Sequence, residues 1–526
     1  MNTHLIKSKS NSQPKWLLYF VGCVFLVAIF LVTLWLIWGE VTLTNLLNGD
    51  GPEYITNLLN YHRSLDPGIR SVLYYSNMIE SILFRFGFMV LFSSVVLWFS
   101  WPYLSARYSD FMNESASAHS LAIFRIICFG TLLYYPDYDV IVSMSELPSD
   151  LLIPPPGWHG LLKNFMPNAK LTVWLIPVYQ ATVVAALLGF RTRMAAFFVV
   201  VLGVWLLGIP QFYGKINHYH HLLWFAAIAI FAPVSDIWSL DSWRHENNFN
   251  PSKHRFYLGL ILISIFTMYF FAGWWKLLGG GFTWIWGDAA RWQIEAQFLR
   301  LGKTSTGWYN NYPWFFKLIG LLTVLFELSW GWFMLARKTR PFILLFGVIF
   351  HLSIYILMDI NFWQLTIFYG IFLPYNEWLD SKQDKQVSNW ILPKFHWSKL
   401  YLALIISFGF FHIDSWPLAV YPSFGNPPET RVWQVSLDCY QGNKLRTVNL
   451  AGAVELRSWL PKTRLMGLHG QLTGREKVAT HKIKLLDSYY CRALGISLST
   501  KRRYVKRKID LENGQVLEIR ELWKTQ

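Results

Sequence analysis

Charge is scarce in this chain. Only 15% of its 526 residues are Asp, Glu, Lys or Arg. Acid is scarcer still, 31 residues against 47 basic ones, for a formal net charge of +16. So thin a supply of charge excludes a water-solvated surface over the whole molecule. Cysteine is also rare, with four in all. Cys23 and Cys128 fall inside apolar runs and read as small buried apolar residues. One disulfide candidate is left, Cys439 with Cys491, in a C-terminal region where oxidation is permitted and two free thiols are the alternative. There is no internal repeat and no low-complexity tract. No metal is expected: His218, His220 and His221, at i, i+2 and i+3, converge poorly on a helix, and no Cys or Glu ligand accompanies them. The first apolar run is long and has no small-residue cleavage site after it, so it reads as an uncleaved anchor.

Apolar and aromatic side chains fill the space that charge leaves. They make up 53% and 18% of the residues, and the mean hydropathy is +0.29. Apolar runs near the length of a bilayer-spanning helix define an all-α polytopic membrane helix bundle with about 10–11 transmembrane helices. The runs lie near 16–38, 79–104, 119–136, 170–190, 193–210, 217–235, 256–275, 314–336, 341–357, 362–376 and 399–415. Three regions follow: an N-terminal membrane extension with two spans (1–115), a transmembrane core (116–415) and a small basic β-rich extramembrane domain (425–526). The strand reading rests on the alternation in Val432-Trp433-Gln434-Val435-Ser436-Leu437. It rests also on Asn513-Gly514, a hairpin-turn signal between two alternating stretches. The cluster Lys501, Arg502, Arg503, Lys506, Arg507 and Lys508 suits anionic headgroups or an acidic peptide or protein partner better than nucleic acid.

Loop charge sets an expected orientation. Lys7, Lys9 and Lys15, then Arg191 and Arg193, then Arg244, Lys253 and Arg255, then Arg337, Lys338 and Arg340, then Lys382, Lys385, Lys394 and Lys399 all fall on one side when eleven spans are drawn. The expectation is a multi-pass protein of a bacterial inner membrane, with the N-terminus cytoplasmic and the C-terminus extracytoplasmic.

Few ionisable residues lie in or at the apolar runs, and each needs a reason to be there. Lys276 closes the run Tyr269-Phe270-Phe271-Ala272-Gly273-Trp274-Trp275. An amine held away from water at that point is available as a base; the plainer alternative is a lysine snorkelling to the interface. With the orientation above, His218 and Lys276 share a depth. His351, in the middle of its run, is an interhelical hydrogen-bonding candidate. Arg125 and Glu327 are each expensive in a bilayer, so an Arg125–Glu327 ion pair is expected, with a proton relay as the alternative.

Taken as an ordered set, these residues resemble the HTTM domain family, which includes the vitamin K-dependent gamma-glutamyl carboxylases. The blocks are Phe124-Arg125 with Gly130, Asn217-His218 followed by Trp238-Ser239-Leu240-Asp241, and Tyr269-Phe270 with Ala272-Gly273 and Lys276-Leu277. Glu327-Leu328-Ser329 with Arg340, and His351 with Ile360 and Phe362, complete it, over about 119–376. The resemblance implies a membrane enzyme in which Lys276 deprotonates a reduced quinone that reacts with O₂, producing an epoxide and a strong base for CO₂-dependent carboxylation. It implies supporting roles for His218 and His351. A flat apolar quinone entering from membrane lipid would need aromatic walls, for which Trp224, Trp274, Trp275 and Phe350 are the candidates, and the expected cofactor-binding residues are Asn217, Trp224, Trp275 and Phe350. Two departures stand out. Trp275 replaces a second lysine, and about a hundred β-rich residues replace the carboxylases' large lumenal region. A non-catalytic membrane protein on the same scaffold, acting in export, processing or partner binding, is the alternative.

Overall fold

The computed structural model describes residues 15–53, 55–56, 72–114, 116–214, 216–244, 250–302, 312–379, 396–419, 430–441, 444–474 and 476–525. Lys7, Lys9, Lys382, Lys385, Lys394 and the start of the C-terminal region at 425–429 lie outside the described residues. The chain divides into two units, one of Met1–Phe111 with Leu277–Gly281, the other of Met112–Lys276 with Phe282–Gln526.

The first unit is built on two long helices. The run α1 (Lys15–Leu34) continues through a π-helical turn, Trp35–Gly39, into α2 (Glu40–Asn48). Gly39 lets the Trp35 indole lie on the backbone, since a Cβ there would sit 2.3 Å from the ring. Gly49, at φ 99°, ends the helix in the left-handed conformation that glycine adopts without strain. Helix α3 (Val72–Asn113) is 42 residues long. Its Arg85 donates to the carbonyls of Leu278 and Gly279 at 3.0 and 2.5 Å, joining the 277–281 segment to this unit. Leu43, Leu47 and Tyr75 form a small core with Trp35 and Ile79.

The second unit holds the transmembrane core. Its helices are α4 (Ala118–Tyr134), α5 (Tyr138–Ser145), α6 (Ala169–Leu188), α7 (Thr192–Leu206), α8 (His221–Phe231), α9 (Pro251–Gly280, whose last four residues belong to the first unit), α10 (Ala289–Arg300), α11 (Pro313–Leu335), α12 (Arg340–Met358), α13 (Trp363–Thr366) and α14 (His396–Phe410). Local chemistry sets the boundaries. Asn168 Oδ1 caps α6 by accepting from Lys170 N at 2.9 Å. Asp241, in the short helical turn Leu240–Arg244, accepts from the amides of Arg191 and Thr192 at 2.8 and 2.9 Å, so a distant segment starts α7.

Among the described residues, seven helices are long and apolar enough to cross a membrane, or eight if the bent pair α4–α5 counts as one span. Three of the expected spans are shorter, and one of them, the run at 399–415, supplies the fifteen residues of α14. The run at 217–235 supplies only the eleven residues of α8. The run at 362–376 is α13 followed by a 3₁₀ segment, Ile367–Phe372. These two segments pack on one another: Phe225 and Phe368 meet at 4.5 Å, and His221 Nε2 donates to Gln364 O at 3.0 Å. Hydropathy cannot tell such short segments from full spans.

The C-terminal domain contains a four-stranded antiparallel sheet of order β2-β1-β3-β4, formed by β1 (Arg431–Gln441), β2 (Lys444–Asn449), β3 (Arg502–Asp510) and β4 (Val516–Lys524). Gly514, at φ 70°, turns the β3–β4 hairpin where Asn-Gly stands in the sequence. Two helices not read from the sequence, α15 (Lys462–Leu472) and α16 (Glu476–Leu494), lie between β2 and β3 in chain order. Tyr504 Oη and the Arg502 guanidinium bind Asp487 of α16, and Thr480 Oγ1 donates to Leu522 O at 2.6 Å. The disulfide expectation is corrected. Cys439 on β1 and Cys491 on α16 are separate buried free thiols. Each Sγ has its own acceptor, Arg446 O at 3.6 Å and Asp487 Oδ1 at 3.7 Å.

Candidate functional site

Lys276 does not snorkel. It is 3% exposed, and Nζ lies 2.7 and 2.8 Å from the two carboxylate oxygens of Glu327. Its ammonium also faces the Trp284 ring, 5.3 Å from the centroid. The helices that bring the two together, α9 and α11, approach closely at Gly273, where a Cβ would lie 3.0 Å from Glu327 Cβ.

This overturns the Arg125–Glu327 pair. Arg125 is 1% exposed and binds main-chain carbonyls instead: Leu187 O at 3.2 Å, Val234 O at 2.8 Å, Ile237 O at 3.4 Å, and Trp238 O. The physical reason is geometric. A guanidinium presents five donors in a planar fork and can gather carbonyls left open at a helix end and in the following loop. Arg125 is therefore a cap for the end of α6 and the 234–238 loop.

Around the Lys276–Glu327 pair lies a cavity of about 60 Å³ that is not fully enclosed. Met268, Tyr269, Ala272 and Lys276 reach it from α9, Glu327 from α11, and Phe350, His351 and Ile354 from α12. His218, Phe362 and Leu365 complete the wall. Most of the lining is apolar, with polar groups converging at a few points, as expected of a small-molecule site. His351 Nε2 is 2.7 Å from Tyr269 Oη, which is 2.5 Å from Tyr369 Oη. His351 Nδ1 is buried and has no partner among the described residues. The His218 ring packs on Phe362 at 4.9 Å, and its carbonyl accepts from Gln364 Nε2 at 3.3 Å.

Lys276, His218 and His351 thus share one cavity. Of the expected walls, Phe350 alone lines it. Trp224 points elsewhere and donates to Pro417 O at 2.6 Å. Trp275 donates to Gly409 O at 2.7 Å and stacks on His412 at 4.3 Å. Asn217 is not part of the lining, and its backbone N–H donates to Gln211 Oε1 at 2.7 Å. Trp274 stacks on Phe270 at 5.8 Å and is not part of the lining. The lining residues that sequence reasoning does not assign to the cavity are Met268, Tyr269, Ala272, Ile354, Phe362 and Leu365, together with Glu327 as the partner of Lys276. Helical spacing carried the signal: 268, 269, 272 and 276 on α9, and 350, 351 and 354 on α12, each follow the three-to-four-residue rhythm of a single face.

A multi-helix membrane core enclosing a small apolar cavity with one buried ion pair defines the class. Residues 113–378 match the family model of the HTTM domain. The chain belongs to that family, the match covering just over half of its 526 residues. No curated protein matches it, and no solved structure does.

Proposed function

We propose that this multi-pass HTTM protein is a membrane enzyme acting on a reduced quinone, carboxylase-like in its use of O₂ and CO₂, with the Lys276–Glu327 unit as its proton-accepting group. The observation that carries this is the convergence of that ion pair with His218 and His351 on one mostly apolar cavity. Lys276 arrives already paired. The acceptor of a hydroxyl proton is then the lysine–carboxylate unit rather than an isolated amine. His351 offers Nδ1 to a ligand oxygen, and His218 stands across the cavity from it as a second polar contact.

The donor set fits a hydroxyl-bearing aromatic edge. The volume is tighter. A dry cavity that accepts benzene measures about 150 Å³, against about 60 Å³ here. A ring edge enters as the cavity stands, with the rest of the ligand outside it. A complete bicyclic head group requires Phe350 and Phe362 to swing aside. That tightness, with both Glu327 oxygens already bonded, favours the second reading, a non-catalytic HTTM membrane protein that acts in export, processing or partner binding.

The deciding experiment incubates purified protein with vitamin K hydroquinone, O₂ and labelled bicarbonate. Epoxide formed in proportion to enzyme supports the first reading, and fixed label extends it to carboxylation. No epoxide from any reduced quinone supports the second.

A further inference from the structure

The family match ends at residue 378, yet a residue far beyond it reaches the elements that frame the cavity. Arg464, on α15 of the C-terminal domain, is 5% exposed. Its Nη1 donates to Pro210 O at 2.8 Å and its Nη2 to Tyr219 Oη at 2.9 Å. The donors around Asn217 demand that its amide oxygen face the guanidinium, and in that orientation it accepts from Nη2 at 2.6 Å and from Nη1 at 3.3 Å. Gln211 braces the same turn: its Nε2 donates to Tyr219 Oη at 2.5 Å, and its Oε1 accepts from Asn217 N at 2.7 Å. Asn217 and Tyr219 are the two chain neighbours of His218.

We propose that Arg464 is a positioning residue for His218: its guanidinium clamps both flanking residues, so the C-terminal domain sets how the His218 ring enters the cavity. A planar fork holds two side-chain acceptors and a carbonyl in one fixed geometry. A lysine, a single charged point on a flexible stem, can satisfy some of them but not fix the turn. The buried groups of this network satisfy one another's hydrogen bonds.

A second anchor on α15 provides the control. Gln471 Nε2 donates to Leu151 O at 3.2 Å and to Tyr213 O at 2.8 Å, holding the same helix to the core without touching residues 217–219. The test is carbethoxylation of the protein in detergent by diethyl pyrocarbonate, with rates at each histidine read by mass spectrometry. His481, whose side chain is 60% exposed, is the internal reference. Arg464→Met is expected to raise the His218 rate about tenfold relative to His481, the scale on which small misplacements act. Arg464→Lys should fall between wild type and Arg464→Met, and it serves alone if the methionine variant does not fold. Gln471→Met should leave the His218 rate unchanged. An unchanged His218 rate in both Arg464 variants overturns the proposal. So does an equal rise in Gln471→Met, which would mean general loosening of the domain.

The role in activity rests on the enzyme reading above, and a separate arm tests it. If wild type turns over a quinone, Arg464→Lys should lower kcat while leaving KM within about twofold. If wild type shows no turnover, the enzyme reading fails and the labelling result still decides the positioning role.

Discussion

Lys276 Nζ and the Glu327 carboxylate form a two-point contact, at 2.7 and 2.8 Å, in which both side chains are less than a tenth exposed. Two charges taken out of water this completely attract strongly, but their desolvation offsets much of that gain. Removing one partner strands the other. Lys276→Ala and Glu327→Gln should each lower stability by about 3–5 kcal/mol, and the paired replacement Lys276→Met/Glu327→Leu should recover most of it. Thermal unfolding of the four proteins in one detergent checks this. Single variants as stable as wild type would mean that the pair is not charged.

Lys276→Arg separates holding the pair from accepting a proton. Guanidinium can keep the contact with Glu327 but stays protonated at any workable pH. The variant should be near wild type in thermal stability and should form no quinone epoxide. Epoxide formation at wild-type rate by this variant would remove Lys276 from the chemistry.

Arg125 makes a different prediction from the one its sequence suggests. Because it binds carbonyls and not Glu327, Glu327→Gln should not affect the α6 end. Arg125→Met leaves up to four main-chain carbonyls without their donor, at about 1–3 kcal/mol for each one that water cannot reach. Loss of folded protein is expected. Arg125→Lys should rescue little of it, since an ammonium cannot span the same set. Hydrogen exchange at 187–192 and 234–241 should rise in any Arg125 variant that survives.

The C-terminal domain should lose stability in mild acid. Burial, with a smaller contribution from Arg300, pushes the His469 imidazole down to about 4 from its ordinary value of 6.5. Its Nε2 accepts from Val435 N at 2.9 Å, a role open only to the neutral ring. Between pH 6.5 and about 4 the unfolded chain binds a proton that the folded chain does not, so stability falls as pH falls through that window and flattens below it. The limit of the loss is about 3 kcal/mol. Melting curves from pH 7.5 to 4.5 measure it. His469→Gln should start less stable and show a flatter slope over the same range, and an unaltered slope would exclude His469 as the cause.

Orientation turns on three short segments, α8, the 363–372 segment and α14. α8 and the 363–372 segment each reach about 17 Å along their axes by helical rise, and they pack on one another. If both pass through the interior together, and α14 and the bent pair α4–α5 each cross once, eleven crossings result. With the basic loops inside, the C-terminus then lies outside. A reporter active only outside the cytoplasm, fused after Gln526, should give signal. Signal from a cytoplasmic reporter at that position would mean that one of these short segments turns back.

The sequence alone determined the helical membrane character, because twenty apolar residues in a row have one low-energy solution in lipid. It determined the β3–β4 hairpin, because Asn-Gly supplies the positive φ that the turn needs. It marked Lys276, His218 and His351, because polar groups in apolar runs are expensive enough to be few. Tertiary structure decided which charge meets which. Arg125 and Glu327 looked complementary in composition, but α9 and α11 meet closely at Gly273 and give Glu327 to Lys276, while Arg125 faces a helix end whose open carbonyls are invisible to residue type. The same reason hid α8 and the 363–372 segment. Their short length goes with packing on one another, Phe225 against Phe368, which hydropathy does not show. It hid Arg464 as well, since nothing in its local sequence indicates that its guanidinium crosses 245 residues of chain to reach Tyr219.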